Sequence, residues 1–166
     1  MDFIHHTLQW CKGEIFEGKM SLLFGILILL VSLSYWKWGT TAYARAMFWP
    51  LLVVAFLAAG AGVYLITTNH KRIVAYQEAF RENPVTFMDT EKERTADFIK
   101  WYPVTQKIFL GVMLVGMLCL ILSQSPVIRA VGIAVMLLSL YVFVLDHFSE
   151  ERARLYHSRI IEHLTN

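Results

Sequence analysis

The sequence is short of cysteine and short of charge where its apolar residues concentrate. It has two cysteines, Cys11 and Cys119. Cys119 sits inside an apolar block and Cys11 precedes the first such block, so the two are not expected to share an oxidising compartment or a disulfide. No cysteine pair exists to serve a membrane thiol oxidoreductase. Charged residues make up 17% of the chain, against about 25% in an ordinary soluble protein. No Asp, Glu, Lys, Arg or His occupies the centre of any apolar block. Proton relays and ion paths need ionisable groups at that depth, so their lack argues against a pump or a proton-coupled transporter. The formal net charge of +2, with no long basic run, gives no electrostatic case for nucleic acid. Gly-x-Ser-x-Gly, P-loop and dinucleotide fingerprints are missing, as are H-E-x-x-H, paired Glu-x-x-His and C-x-x-C.

What the chain has is apolar length. Hydrophobic residues make up 57% of it, above the roughly 45–50% of soluble domains. The excess falls in four blocks, residues 20–36, 47–68, 104–122 and 127–145. A helix crossing a bilayer needs roughly 17–25 apolar residues. Three blocks are at the short end, and flanks such as Lys107 and Arg129 extend them by snorkelling. A soluble core of this size could not bury four such blocks, so lipid is expected to cover them.

Basic residues give an orientation. Lys12, Lys19, Lys71, Arg72, Arg81, Lys92, Arg94, Lys100, Lys107, Arg152, Arg154 and Arg159 fall on one side, and Lys37, Arg45 and Arg129 on the other. By the positive-inside rule both termini and residues 69–103 are cytoplasmic, which predicts a multi-pass protein of the cell inner (cytoplasmic) membrane. Tyr35, Trp36, Trp38, Tyr43 and Trp49 form the expected outer aromatic belt, and Trp101 and Tyr102 the inner one. Residues 1–19 read as a cytoplasmic amphipathic arm rather than a cleavable leader.

The expected fold is an all-α membrane protein: two transmembrane hairpins, residues 20–68 and 104–145, with helical extensions forming a small cytoplasmic bundle. Residues 70–81 continue the second span until Asn83-Pro84 ends the helix. Thr90-Glu91-Lys92-Glu93 fits a capping box that opens the next helix, making 69–103 a helical hairpin. Ser125 is placed as an N-cap with Pro126 at the first helical position. Residues 146–166 continue the fourth span, with one stripe at Ala153, Tyr156, Ile160 and Leu164. The arm has a similar stripe at Ile4, Leu8, Cys11 and Ile15, interrupted by Gly13, and could instead lie flat on the lipid surface. Ala58 and Gly62 mark a packing seam, within the chain or between copies; Gly111 and Gly116 are candidates for another. Tyr64-x5-His70 and Tyr141-x5-His147, with Asn69 and Asp146 before the histidines, suggest a weak internal repeat.

All six histidines lie on the expected cytoplasmic side. A metal or haem site there would use His70, His147, Glu151 and His157, with Glu78 and Glu150 as further ligands; His147 and Glu151 are i,i+4 neighbours on one helix face. The alternative is that these histidines are interfacial, capping carbonyls or solvated. Glu150, Glu151, Arg152 and Arg154 read as a solvated face or as pairs within the bundle, while Lys71, Arg72 and Arg152 could meet an anionic lipid head group.

The leading expectation is a non-enzymatic membrane protein working through its cytoplasmic helical face, as an assembly, scaffold or signalling component, self-associating or docking a protein partner. The first alternative is a metal- or haem-binding redox or lipid-modifying protein with its histidine site at the membrane edge. The second is an oligomeric pore.

Overall fold

The computed structural model describes residues 3–165; Met1, Asp2 and Asn166, which belong to the expected terminal segments, lie outside them. Nothing breaks the helical pattern between Phe3 and Trp38, and α1 runs through all 36 residues. A five-residue turn of helix, α2 (Ala42–Ala46), follows, N-capped by the Thr41 hydroxyl, which accepts from the Ala44 N–H at 3.1 Å. Then come α3 (Phe48–Glu82), α4 (Pro84–Ile99), α5 (Tyr102–Leu122) and α6 (Pro126–Thr165), with no strand among the described residues. Four helical stretches are long and apolar enough to cross a membrane: α1, α2 with α3, α4 with α5, and α6. At 1.5 Å per residue the three longest helices reach about 50–60 Å. Each therefore has an apolar half and a polar half with no joint between them.

α1 passes from residues 3–19 into the first apolar block without a break. One boundary differs from the sequence expectation. The helix before α5 does not open at Thr90. It opens six residues earlier, at Pro84, because Asn83 closes α3 in an extended conformation and then caps α4, its Oδ1 accepting from the Thr86 N–H at 3.1 Å. Asn is among the best N-caps and Pro suits the first helical position. Thr90 lies well inside the helix, donating to the Thr86 carbonyl at 2.8 Å. At the start of α6, Pro126 is placed as expected and the Ser125 carbonyl receives the Arg129 N–H. The side-chain hydroxyl that serves this turn belongs to Ser123, which accepts from the Ser125 N–H at 3.1 Å.

Small residues set how the apolar halves pack. α1 and α3 run antiparallel, with Gly18 facing Gly62, and Gly25 facing Ala55 and Ala59. A Cβ on Gly62 would lie 2.6 Å from the Gly18 carbonyl oxygen and 2.6 Å from the Leu22 nitrogen, so backbone meets backbone there. Ser21 and Ser32 lie in the same seam and donate to the Ala58 and Phe48 carbonyls of α3 at 2.7 and 2.8 Å. The seam at Ala58 and Gly62 is thus filled within the chain. α5 and α6 form a second close pair at Gly116 and Gly132, whereas Gly111 faces open space. α6 also packs on α1 and α3, while α5 buries only Gly116. The two loops at the apolar end are tied by the Tyr43 hydroxyl, which donates to the Gln124 carbonyl at 3.3 Å.

The polar halves of α1, α3 and α6 close with α4 around a largely aromatic core of Phe3, Trp10, Cys11, Phe87, Tyr156 and Ile160, flanked by Tyr76, Phe80 and Phe98. The stripe Ala153, Tyr156, Ile160 is buried as expected. On α1 the buried line is Phe3, Thr7, Trp10, Cys11, Glu14, Ile15, Glu17, Gly18 and Ser21, so Cys11 and Ile15 of the expected stripe are buried. Ile4 and Leu8 stand at its edge, half-buried.

Gly62 and Gly60 make a paired test of the seam. Gly62→Ala should lower stability by about 1–3 kcal/mol, since the clash is with backbone that cannot turn aside. A Cβ added at Gly60 would meet nothing within 4 Å, so Gly60→Ala should be neutral or gain up to about 1 kcal/mol from helix propensity. Unfolding midpoints of the two purified variants check this, and equal losses would show that the seam is not limiting.

Candidate functional site

Two layers of buried polar side chains cross the molecule in its polar half. The first lies where polar and apolar halves meet. α1 brings Glu14 and Glu17 there, one turn apart, because both continue the buried line that begins at Phe3. α6 brings Asp146, Ser149 and Arg152, and α5 brings Tyr102 and Thr105. The Arg152 guanidinium Nη2 lies 2.7 Å from Glu17 Oε2 and 3.2 Å from Glu14 Oε1. It gets there by crossing α1 at Gly13, where a Cβ would fall 2.8 Å from Arg152 Cδ. Ser149 donates to Glu14 at 3.4 Å and shares a 2.9 Å hydrogen bond with Tyr102. Thr105 donates to Asp146 at 2.5 Å. One turn toward the apolar half, Ser21 is hydrogen-bonded to Tyr141.

Two carboxylates thus share one guanidinium in a site that excludes most water. Burial is the largest influence on Glu17 and pushes its carboxyl above the ordinary 4.5; Arg152 opposes the rise, while Glu14 and Asp146 add to it. Burial also works against the Arg152 cation, and the two carboxylates more than offset it. One oxygen of that carboxylate, Glu17 Oε1, is buried without a partner.

The second layer lies deeper in the polar half. Arg94 grips Glu91 with two hydrogen bonds of 2.7 Å. Tyr156 donates to Glu91 Oε2 at 3.1 Å and stands 3.0 Å from the Thr7 hydroxyl. The Arg94 guanidinium also lies over Trp10 at 4.8 Å and over Phe98 at 5.1 Å. Trp10 in turn stacks on Tyr156, with centroids 5.5 Å apart and planes 12° off parallel. Cation–π contacts of this kind strengthen when desolvated. Burial pushes the Tyr76 hydroxyl and the Cys11 thiol up to about 12. Cys11 is fully buried in this core, an environment that disfavours the thiolate.

The four residues expected to hold a metal stand as follows. His70 is exposed, its Nδ1 2.7 Å from the Ile66 carbonyl one turn back. His147 is exposed beside the Phe148 ring, and Glu151 is exposed. His157 is half-buried, its Nδ1 2.6 Å from the Thr95 hydroxyl, and burial followed by Lys92 lowers its pKa. Of the further ligands, Glu78 is exposed, and Glu150 is held by Gln106 at 2.8 Å and Arg154 at 2.6 Å. Among the described residues, no three His, Cys, Asp or Glu side chains come together in a group that could hold a metal ion. The charge run on α6 divides, with Arg152 turned inward to α1 and Arg154 paired to Glu150 on its own helix.

Glu14, Glu17, Glu91 and Arg94 are the residues that sequence reasoning missed. The signal for the first two was present: they fall at three-four spacing between Trp10 and Ser21. Their charge disguised it. Comparison of the chain with family models, curated proteins and solved structures finds no match, so a functional reading rests on this geometry.

Two measurements test the junction layer. Arg152→Ala leaves two buried carboxylates uncompensated and should cost about 3–5 kcal/mol; adding Glu17→Gln should recover part of that loss. The second is pH dependence. A carboxyl whose pKa is raised on folding favours the folded state when protonated, and that contribution fades as pH climbs from 4.5 through the raised value. Relative to Glu17→Gln, the wild type should therefore lose stability as pH rises from 4.5. A parallel pH profile for the two proteins would remove Glu17 from this role.

Proposed function

We propose that this chain is a multi-pass protein of the cell inner membrane. Its four apolar stretches cross the bilayer as two hairpins, both termini are cytoplasmic, and the cytoplasmic helical head is the working surface. In this reading it acts as an assembly, scaffold or signalling component, through self-association or by docking a cytoplasmic protein. The observation that carries it is continuity. α1, α3 and α6 run without a break from apolar to polar halves, and the polar halves close with α4 on an aromatic core of their own. A head built this way is held rigidly to its anchor.

Three further features support the reading. The basic residues divide twelve to three in favour of the polar half, the asymmetry that keeps such segments in the cytoplasm. The side chains of Trp36, Trp38 and Trp49 stand exposed at the far end, where an outer interfacial belt would place them. The close seams at Gly18/Gly62 and Gly116/Gly132 suit helices in lipid, where backbone approach and van der Waals contact replace the hydrophobic drive. The buried carboxylates Glu14, Glu17 and Glu91 each have an arginine partner, which fits a structural head better than an ion path.

Reporter fusions test the orientation. A cytoplasm-only fluorescent reporter after residue 166 should be bright, and an exported phosphatase inserted at residues 39–41 or 123–125 should be active; the reverse pattern would refute the topology. Cross-linking in native membranes followed by purification tests the working surface. The expected result is a defined oligomer or a captured cytoplasmic protein, lost on exposed head substitutions. A strictly monomeric protein with no cross-linked partner would count against the role.

A further inference from the structure

One cleft in the polar half is walled by hydrogen-bond donors and by no carboxylate. It opens between α1 and α6, measures about 240 Å³, and is lined by His6, Gln9, Trp10, Arg152, Tyr156 and Arg159, with Leu155 as its aliphatic edge. Among the described residues four buried side-chain polar atoms lack a partner: Trp10 Nε1, Glu17 Oε1, Ser139 Oγ and Arg152 Nε. Both nitrogen donors in that set belong to residues of this wall. Buried donors without acceptors are costly, and each calls for an explanation.

The other polar groups of the wall are each engaged in part by neighbours. The Tyr156 hydroxyl is committed to Glu91 and Thr7 in the second polar layer. Gln9 Nε2 is engaged by His5 at 3.0 Å. Arg159 Nη1 meets Glu162 at 2.9 Å, in a pair where both side chains are about half exposed. The carboxylates that neutralise Arg152, Glu14 and Glu17, are not part of the cleft wall. His6 stands near the His163 and His5 rings, at 5.8 and 6.3 Å between centroids. Its pKa is lowered by burial first, then by Arg159, His163 and His5.

We propose that this cleft binds a phosphate dianion, either free or as the monoester of a small soluble molecule or lipid. Two guanidinium groups, an imidazole and an amide offer more donors than a single carboxylate can use, and charge-assisted bonds to phosphate oxygens are the strong ones. The volume is below the roughly 300–1,000 Å³ of drug-sized sites, which suits a phosphate with a small organic portion. Arg152 and Arg159 lie about 9 and 20 Å along α6 beyond Asp146 at 1.5 Å per residue, a depth that favours a soluble source. The site does not depend on the membrane reading, since all of its walls lie in the polar half.

The full chain, purified in a zwitterionic detergent, is titrated calorimetrically with inorganic phosphate and with sodium chloride at equal ionic strength. Saturable heat is expected with phosphate only. Arg159→Gln, whose exposed ion pair leaves folding intact, and Gln9→Glu, which puts an acid in the wall, should each weaken binding at least tenfold. Phosphate should also raise the His6 imidazole pKa, read by NMR, because an anion favours the imidazolium. Competition by phosphatidic acid micelles, but not phosphatidylcholine micelles, would assign the phosphate to a lipid; competition by a soluble phosphomonoester alone would assign it to a soluble ligand. Equal heats for phosphate and chloride, or binding unchanged in both variants, would overturn the site.

Discussion

Arg152 has to reach two glutamates on another helix, and much of the polar half follows from that. Buried carboxylates cannot remain uncompensated, since the effective cost of stranding an ion in a dry site is several kcal/mol. Glu14 and Glu17 meet their counter-charge where α6 lies antiparallel to α1 with Arg152 across Gly13. That one register brings Tyr141 to Ser21 on one side and Tyr156 to Thr7 and Trp10 on the other. A slip of one turn would break all of these together.

Below it, the Glu91–Arg94 pair does the same for α4. Arg94 lies against Trp10 and Phe98 while it holds Glu91, and Tyr156 bonds to the same carboxylate. Helices α1, α4 and α6 thus meet at a single aromatic and ionic knot. The continuity of α1, α3 and α6 carries this knot into the apolar halves, where the small-residue seams take over. Polar groups specify the head, and close backbone approach specifies the apolar part. The two kinds of order meet at Ser21, whose hydroxyl belongs to both, donating to Ala58 across the seam and bonding to Tyr141.

The cleft between His6 and Arg159 is a by-product of the same register. Arg152 faces its carboxylates and leaves one donor unused, and the stacked rings of Trp10 and Tyr156 line the space beside it. Donor-lined space next to a rigid knot is preorganised, so a ligand entering it would not have to order the wall. Occupancy there would bear directly on the α1–α6 contact, and through these unbroken helices on the apolar halves.

The sequence by itself determined the helical class, the four apolar stretches, the extension of α3 and α6 beyond them, the break at Asn83-Pro84 and the buried stripe at Ala153, Tyr156 and Ile160. Each of these is local: it depends on run length, on a proline, or on a period of three to four residues. Only the tertiary structure decided that Glu14 and Glu17 join Cys11 and Ile15 on the buried face of α1, because their counter-charge, Arg152, stands more than 130 positions away. It likewise decided that α4 begins at its Asn83 cap, since nothing local ranks that signal above the Thr90 box. It showed that Ala58 and Gly62 are covered by α1, and that His70, His147, Glu151 and His157 meet different neighbours. Pairings between distant helices depend on register, and register is a property of the whole packed chain.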